Sequence, residues 1–272
     1  MKTLIAGDLF ISESFKNKQL IDHSVEELFA SAEYRILNLE APITLDEPNH
    51  KILKTGPSLR TSEDTTMPYL KQLKIDMVTL ANNHILDYGE QGLINTFYAL
   101  DKNNIDRVGA GNNLIEASRP FTIEKEGLGI AILNFAENEW SSASKDKGGA
   151  NPLDIIDNVR QIKTAKAKHN KVICIIHGGH EHYNLPSLRM QKQYRFYAEN
   201  GADLIVGHHT HCIGGYEVYK GVPIYYSLGN FLFTLNAVTP DWYIGLILEI
   251  EWEKDELKTN LHPVCQEKGT FK

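Results

Sequence analysis

The hydrophobic residues of this chain fall in two rhythms. Short unbroken runs such as "TLIAG" (3–7), "VICII" (172–176) and "LIVG" (204–207) have the length of buried strands. Between them lie stretches with apolar residues three and four apart, as in "QGLINTFYALDKN", where Leu93, Phe97 and Leu100 share one helical face. The succession predicts a strand at "TLIAGD", a helix opening at Ser24 with Glu27 as capping-box partner, and a strand at "RILNLE". A helix near "DTTMPYLKQL", the strand "DMVTLANNH" and a helix over "QGLINTFYALDKN" come next. Asp87 and Glu90 stand at capping-box spacing before the last of these.

Further along, "FTIEKEGLGIAILNF" predicts a hairpin turning at Glu126 and Gly127. "PLDIIDNVRQIKTAKA" reads as helix, "KVICIIHGG" as strand, "LRMQKQYRFYAEN" as a helix stopped by Gly201, and "ADLIVGHH" as strand. The tail from Tyr216 to about Leu261 predicts two antiparallel hairpins, and the polar, Gly-containing stretch 137–151 a surface loop. Strands alternating with helices before a β-rich tail indicate an α/β protein with a mixed sheet or two packed sheets. No repeat, Pro/Ser-rich linker or low-complexity segment divides the chain, so a single domain over residues 1–272 is expected.

Composition narrows the function classes. At 42% hydrophobic and 23% charged residues the chain is an ordinary globular one, and its formal charge of −7 without a long basic run argues against sequence-independent nucleic-acid binding. Cys174, Cys212 and Cys265 are odd in number and far apart, which gives neither a disulfide framework nor a thiolate metal site. No apolar stretch is long enough for a membrane span, and "MKTLIAGDLF" is too short an apolar run for a signal peptide, so a cytoplasmic location is expected.

Chemistry concentrates where the apolar runs end. Asp8 follows "LIAG", Glu40 follows "ILNL", Asn82–His84 follow "VTLA", His177 follows "VICII", and "HHTH" (208–211) follows "LIVG". In open α/β sheets ligands bind outside the carboxyl ends of strands, so residues distant in sequence can converge there. Two carboxylates, an Asn and several His make an oxygen/nitrogen donor set suited to one or two divalent ions of Mn, Fe or Zn. His209 and His211, two apart, can aim two imidazoles at adjacent cations. Arg60 and Arg189 are candidate anion-binding side chains.

The order of these motifs resembles the calcineurin-like metallophosphoesterase pattern, and more closely the CapA-type capsule and poly-γ-glutamate synthesis family. "NLEAPIT" (38–44), "LANNHILDYGEQGL" (80–93), "HGGHEHYNLPS" (177–187), "GADLIVGHHTH" (201–211) and "GVPIYYSLGNFLF" (221–233) carry the resemblance over nearly the whole chain. It implies a four-layer α/β/β/α sandwich with the site between the two sheets. Asp8, Glu40 and His211 would serve one metal, and Glu40, Asn83, His177 and His209 a second, with Glu40 bridging. His84 would be the proton donor, and Asp87 could hold its ring in one tautomer. The adjacent His208 permits another register of the His-x-His pair.

Two departures from the pattern stand out. Phe10 occupies the position of the His in the opening Asp-x-His, and Glu40 replaces the bridging Asp. The first metal thus lacks a ligand, which leaves three outcomes: a weak site, one completed by His180 or Glu181, or no ion there. The implied activity is hydrolysis of a small-molecule or polymer-linked phosphoester in cell-envelope polymer metabolism. The rival is a non-catalytic accessory role beside the polymer-synthesis machinery.

Overall fold

The computed structural model describes residues 1–45, 47–235, 239–253, 256–267 and 270–271. In chain order the first half contains β1 (Lys2–Phe10), α1 (His23–Ala30), β2 (Tyr34–Leu39), α2 (Glu63–Gln72), β3 (Met77–Thr79), α3 (Gly89–Lys102), β4 (Asp106–Val108), β5 (Ala110–Gly111), α4 (Leu114–Ala117), β6 (Phe121–Lys125) and β7 (Leu128–Ala136). The second half contains β8 (Gly149–Ala150), α5 (Ile155–Lys166), β9 (Lys171–His177), α6 (Leu188–Glu199), β10 (Leu204–His208), β11 (Tyr216–Tyr219) and β12 (Val222–Tyr225). It closes with β13 (Asn230–Phe233), β14 (Ile244–Glu253), β15 (Glu256–Glu267) and β16 (Thr270–Phe271).

One sheet runs β16-β15-β14-β1-β2-β3-β4, with β13 also paired to β1; the other runs β11-β12-β10-β9-β7-β6. Strand alternation divides the apolar residues into three layers. Ile5, Ile36, Ile130, Ile132, Ile173, Ile175 and Val206 meet between the sheets. Their neighbours Leu4, Ala6 and Leu37 pack outward against Phe29, Leu70 and Leu100 of α1, α2 and α3. On the other side, Ala131, Val172, Cys174 and Ile176 pack against Ile162, Tyr194 and Tyr197 of α5 and α6. This is the expected α/β/β/α sandwich. It forms because every central strand is apolar on both faces.

A bulge positions the site. Ala6 pairs with Leu37 and Asp8 with Asn38, leaving Gly7 as an extra residue on β1. Without it, strict alternation would send Asp8 outward with Leu4 and Ala6; with it, Asp8 turns inward on the side of Ile5. Gly7 is required there, since a Cβ would lie 2.0 Å from the Gly229 carbonyl oxygen. At this point β1 also changes neighbour, pairing antiparallel with β14 through Lys2–Ala6 and parallel with β13 through Asp8–Phe10.

The tail differs from the reading of two plain hairpins. β11–β12 and β14–β15 are hairpins, but they belong to different sheets, and β13 between them pairs in parallel with β1. The caps differ too. Asp22, not Ser24, caps α1 by accepting the Ser24 N–H at 2.9 Å. Asp87 caps nothing, because α3 starts at Gly89 and the Asp87 carboxylate is held elsewhere. The stretch 137–151 is no simple surface loop: Ser141 is buried, its hydroxyl donates to the Asn82 carbonyl at 2.8 Å, and β8 within it pairs with β5. Among the described residues no helix is long and apolar enough to cross a membrane.

Candidate metal centre

The five strand ends converge. Asp8, Glu40, Asn83, His177, His209 and His211 are all buried between the carboxyl ends of the two sheets. Ligand atoms of Glu40, His177 and His209 lie within 4.8 Å of one another, and so do those of Asp8, Glu40 and His211. Glu40 belongs to both groups: its Oε1 is 3.5 Å from His177 Nε2 and 3.6 Å from His211 Nε2. Asn83 Oδ1 sits 3.1 Å from His177 Nε2. His208 ends β10 with both ring nitrogens unpartnered, its Nδ1 4.0 Å from Asp8.

Backbone strain aims the histidines. His209 and His211 take positive φ values of 90° and 55°, a region that L residues with bulky side chains adopt rarely. The turn brings the His209 N–H to Asp8 Oδ2 at 3.0 Å and its ring to within 3.1 Å of His177 Nε2. Asn230 settles the tautomer of His211. Its amide nitrogen donates to the Trp242 carbonyl at 3.0 Å, so its oxygen faces His211 Nδ1 at 2.9 Å and must accept. Nε2 of His211 is left with its lone pair, on the Glu40 side. Asn38 donates to Asp8 Oδ1 at 2.7 Å and fixes the other side of that carboxylate.

Burial sets the charges. It pushes the Asp8 carboxyl up to about 7 against the hydrogen bonds from His209 and Asn38. Burial, followed by the nearby Asp8 and Glu181 charges, holds Glu40 well above the usual carboxylate range. The imidazoles move the other way: burial takes His208 and His211 down to about 3 and His177 well below its ordinary value. Both Glu40 oxygens are buried without a hydrogen-bond partner. Such a carboxylate is costly unless it is protonated or meets a cation. Neutral imidazoles facing two unsettled carboxyls are donors that could hold a divalent cation.

Beside this cluster, His84 Nδ1 lies 2.7 Å from Asp87 Oδ2, which also accepts the Leu59 N–H at 2.7 Å. Lys54 pairs with the other Asp87 oxygen and lies 3.2 Å from His84 Nδ1. A cavity of about 470 Å³ opens above, with Asn83, His84 and His211 at its base and Trp140, Trp242 and Leu59 among its walls. Phe10 is buried against Phe233, ring centres 5.4 Å apart, in an apolar cluster with Leu59 and Trp242.

Sequence reasoning missed Lys54, Glu139, Asn38 and Asn230. Glu139 lines the cavity and bonds the Asn83 side chain. Nothing local marks Lys54 or Glu139, whereas Asn38 and Asn230 stood within the motifs "NLEAPIT" and "YSLGNF". The two candidate arginines do not line the cavity: Arg60 pairs with Glu13 and Arg189 with Glu137. Of the two suggested substitutes for the missing ligand, Glu181 lines the cavity and His180 does not.

An α/β/β/α sandwich with buried histidines and carboxylates at its converging strand ends defines a protein of the calcineurin-like metallophosphoesterase class. The crystal structure of a hypothetical protein from Thermus thermophilus shares the fold, with a TM-score of 0.57 over 97% of this chain and 99% of that one at 13% identity. Within the class, the family described as bacterial capsule synthesis protein PGA_cap matches residues 3–235, and the chain belongs to it. The PGA biosynthesis protein CapA of Bacillus subtilis is 35% identical over 221 residues, 80% of this chain and 58% of that protein. The capsule biosynthesis protein CapA of Bacillus anthracis is 32% identical over 242 residues, 84% and 59% of the two chains. A probable polyglutamine synthesis accessory protein of Mycobacterium tuberculosis is 31% identical over 209 residues, 72% and 54%. The chain thus spans somewhat more than half the length of these relatives.

Proposed function

We propose that this protein is a metal-dependent phosphoester hydrolase working in capsule or poly-γ-glutamate metabolism, as the names of its relatives suggest. The observation that carries the reading is Glu40, a buried carboxylate with no hydrogen-bond partner between two imidazoles at 3.5 and 3.6 Å. In this reading Asp8, Glu40 and His211 hold one divalent ion, and Glu40, Asn83, His177 and His209 another. Such ions, Mn, Fe or Zn, supply Lewis acidity at the phosphoryl oxygens and make water nucleophilic near neutral pH.

The remaining chemistry belongs to the chain. Asp87 holds the Nδ1 side of His84, leaving Nε2 for the cavity that His84 lines. From there His84 donates a proton to the leaving oxygen, help worth roughly 10²–10⁴ in rate. Asn230 and Asn38 keep His211 and Asp8 in ligating orientation. With Phe10 where a further ligand was expected, Asp8, Glu40 and His211 would hold the first ion and that position would bind the more weakly.

The test is metal content of the purified protein together with turnover of an aryl phosphate in added Mn²⁺. Glu40→Ala is expected to lose bound metal, and His84→Ala to keep metal but lose turnover about 10²-fold or more. A second reading is favoured by the apolar Phe10 and by the word "accessory" in a relative's name: a metal-binding partner of the polymer-synthesis machinery. Metal bound at Glu40 with no turnover of mono- or diesters would establish that role instead.

A further inference from the structure

The cavity over the cluster has a charge pattern that bears on what enters it. Among the described residues that line it, Lys54 is the one amine, and it is not available to a ligand: its side chain is 2% exposed and its ammonium is paired with Asp87. Its other neighbour is the Trp140 ring, with the ammonium 4.8 Å from the ring centre. The carboxyl groups on the wall, Glu139 and Glu181, are by contrast on exposed residues; no Lys or Arg forms a salt bridge with either among the described residues, and their neighbours are the Asn83 side chain for Glu139 and His182, 3.9 Å away, for Glu181. The rest of the wall mixes apolar Pro57, Leu59, Phe233 and Leu235 with His84, His182 and His211; its partly exposed indole is Trp140, while Trp242 is buried against His182, His211 and Phe233.

We propose that this cavity selects phosphoesters whose organic group is uncharged or cationic with a flat face, an aryl or glycosyl group, and rejects those whose organic group is anionic. The inference rests on the phosphoester reading for the position of the phosphoryl group, which goes to the cation ligands at the base. Above that point a ligand meets the carboxyl groups of Glu139 and Glu181, and among the described lining residues neither has a Lys or Arg partner. A second anion placed there is repelled, and in a partly enclosed cavity that repulsion is screened less than on an open surface. The partly exposed Trp140 indole offers stacking area to a planar group and attraction to a cation. Nucleoside polyphosphates and free glutamate chains are therefore poor occupants, and a glycosyl phosphoester is a good one.

The experiment compares phenyl phosphate with 4-carboxyphenyl phosphate in the Mn²⁺-loaded full chain, native and as the Glu139→Gln/Glu181→Gln variant. The ratio of kcat/KM for the two esters is read in each protein, so that intrinsic reactivity and any general loss of activity divide out. The native ratio is expected to exceed the variant ratio by about tenfold or more, and to shrink as salt is added. Equal ratios in the two proteins, or a ratio indifferent to salt, would overturn the proposal. The same comparison is made on binding, with phenylphosphonate and 4-carboxyphenylphosphonate followed by calorimetry. A tenfold binding preference that the double variant abolishes, in a protein that hydrolyses neither ester, would sink the hydrolase reading and leave the charge selection standing. Equal binding of the two phosphonates sinks the selection whatever the turnover.

Discussion

Lys54 and Asp87 form a buried pair whose partners are unequal in what their loss leaves behind. Removing the ammonium leaves a carboxylate in the interior with only the Leu59 N–H and His84 to face it. Lys54→Met is expected to destabilise the protein by about 3–5 kcal/mol, while Lys54→Met combined with Asp87→Asn loses less, as measured by urea denaturation. The buried acids and imidazoles also set a pH dependence with two opposed limbs. His208 and His211 sit near 3 in the fold against an ordinary 6.5, so falling pH favours the unfolded chain, which takes up their protons. Asp8 is raised to about 7 from 3.8, so the cation-free fold loses stability as pH rises through that window. In chelator, stability should peak near pH 6.5, where the imidazole limb ends, and decline above it. Added Mn²⁺ should remove the decline, because the ion takes the ionised carboxylates; thermal melts across pH with and without metal check this.

At the scale of elements, what local pattern could show was limited by what local pattern contains. The strand ends were legible because an apolar run that stops at Asp8, Glu40, His177 or His208 is visible in one dimension. The helix starts were legible only to within a residue or two: Asp22 takes the cap that Ser24 was expected to provide, its carboxylate also receiving the Ser24 hydroxyl at 2.6 Å. The bulge at Gly7 was not legible at all, because the Gly229 carbonyl that leaves room only for a glycine there lies on a distant segment. Gly7→Ala should therefore cost more than about 2 kcal/mol and weaken cation binding, since Asp8 is aimed by that extra residue. Gly127 gives the contrast. Its φ is +82° and a Cβ there would meet nothing within 4 Å, so Gly127→Asn should cost under about 1 kcal/mol and leave binding unchanged. Parallel melts and metal titrations of the two variants would separate the effects.

For the molecule as a whole, the family match ends at residue 235, yet the fold depends on strands beyond that point. β14 pairs with Lys2–Ala6 of β1 and places Leu248, Ile250 and Trp252 in the layer between the sheets. A chain ended at residue 235 would expose the edge of β1 and the apolar face around Ile5 and Ile36. It is expected to show no cooperative unfolding transition and to aggregate, by calorimetry and size-exclusion chromatography. Sequence by itself determined the layers, because strands apolar on both faces must be covered on both. It also determined the chemical types gathered at the strand ends, because ligands must follow the apolar runs that carry them. Tertiary structure alone decided that Asp8 faces inward, that Glu40 lies between two histidines, and that Lys54 is spent on Asp87 rather than offered to a ligand. Each of those outcomes depends on contacts between segments remote in the chain, and no periodicity along one segment encodes the distance to another.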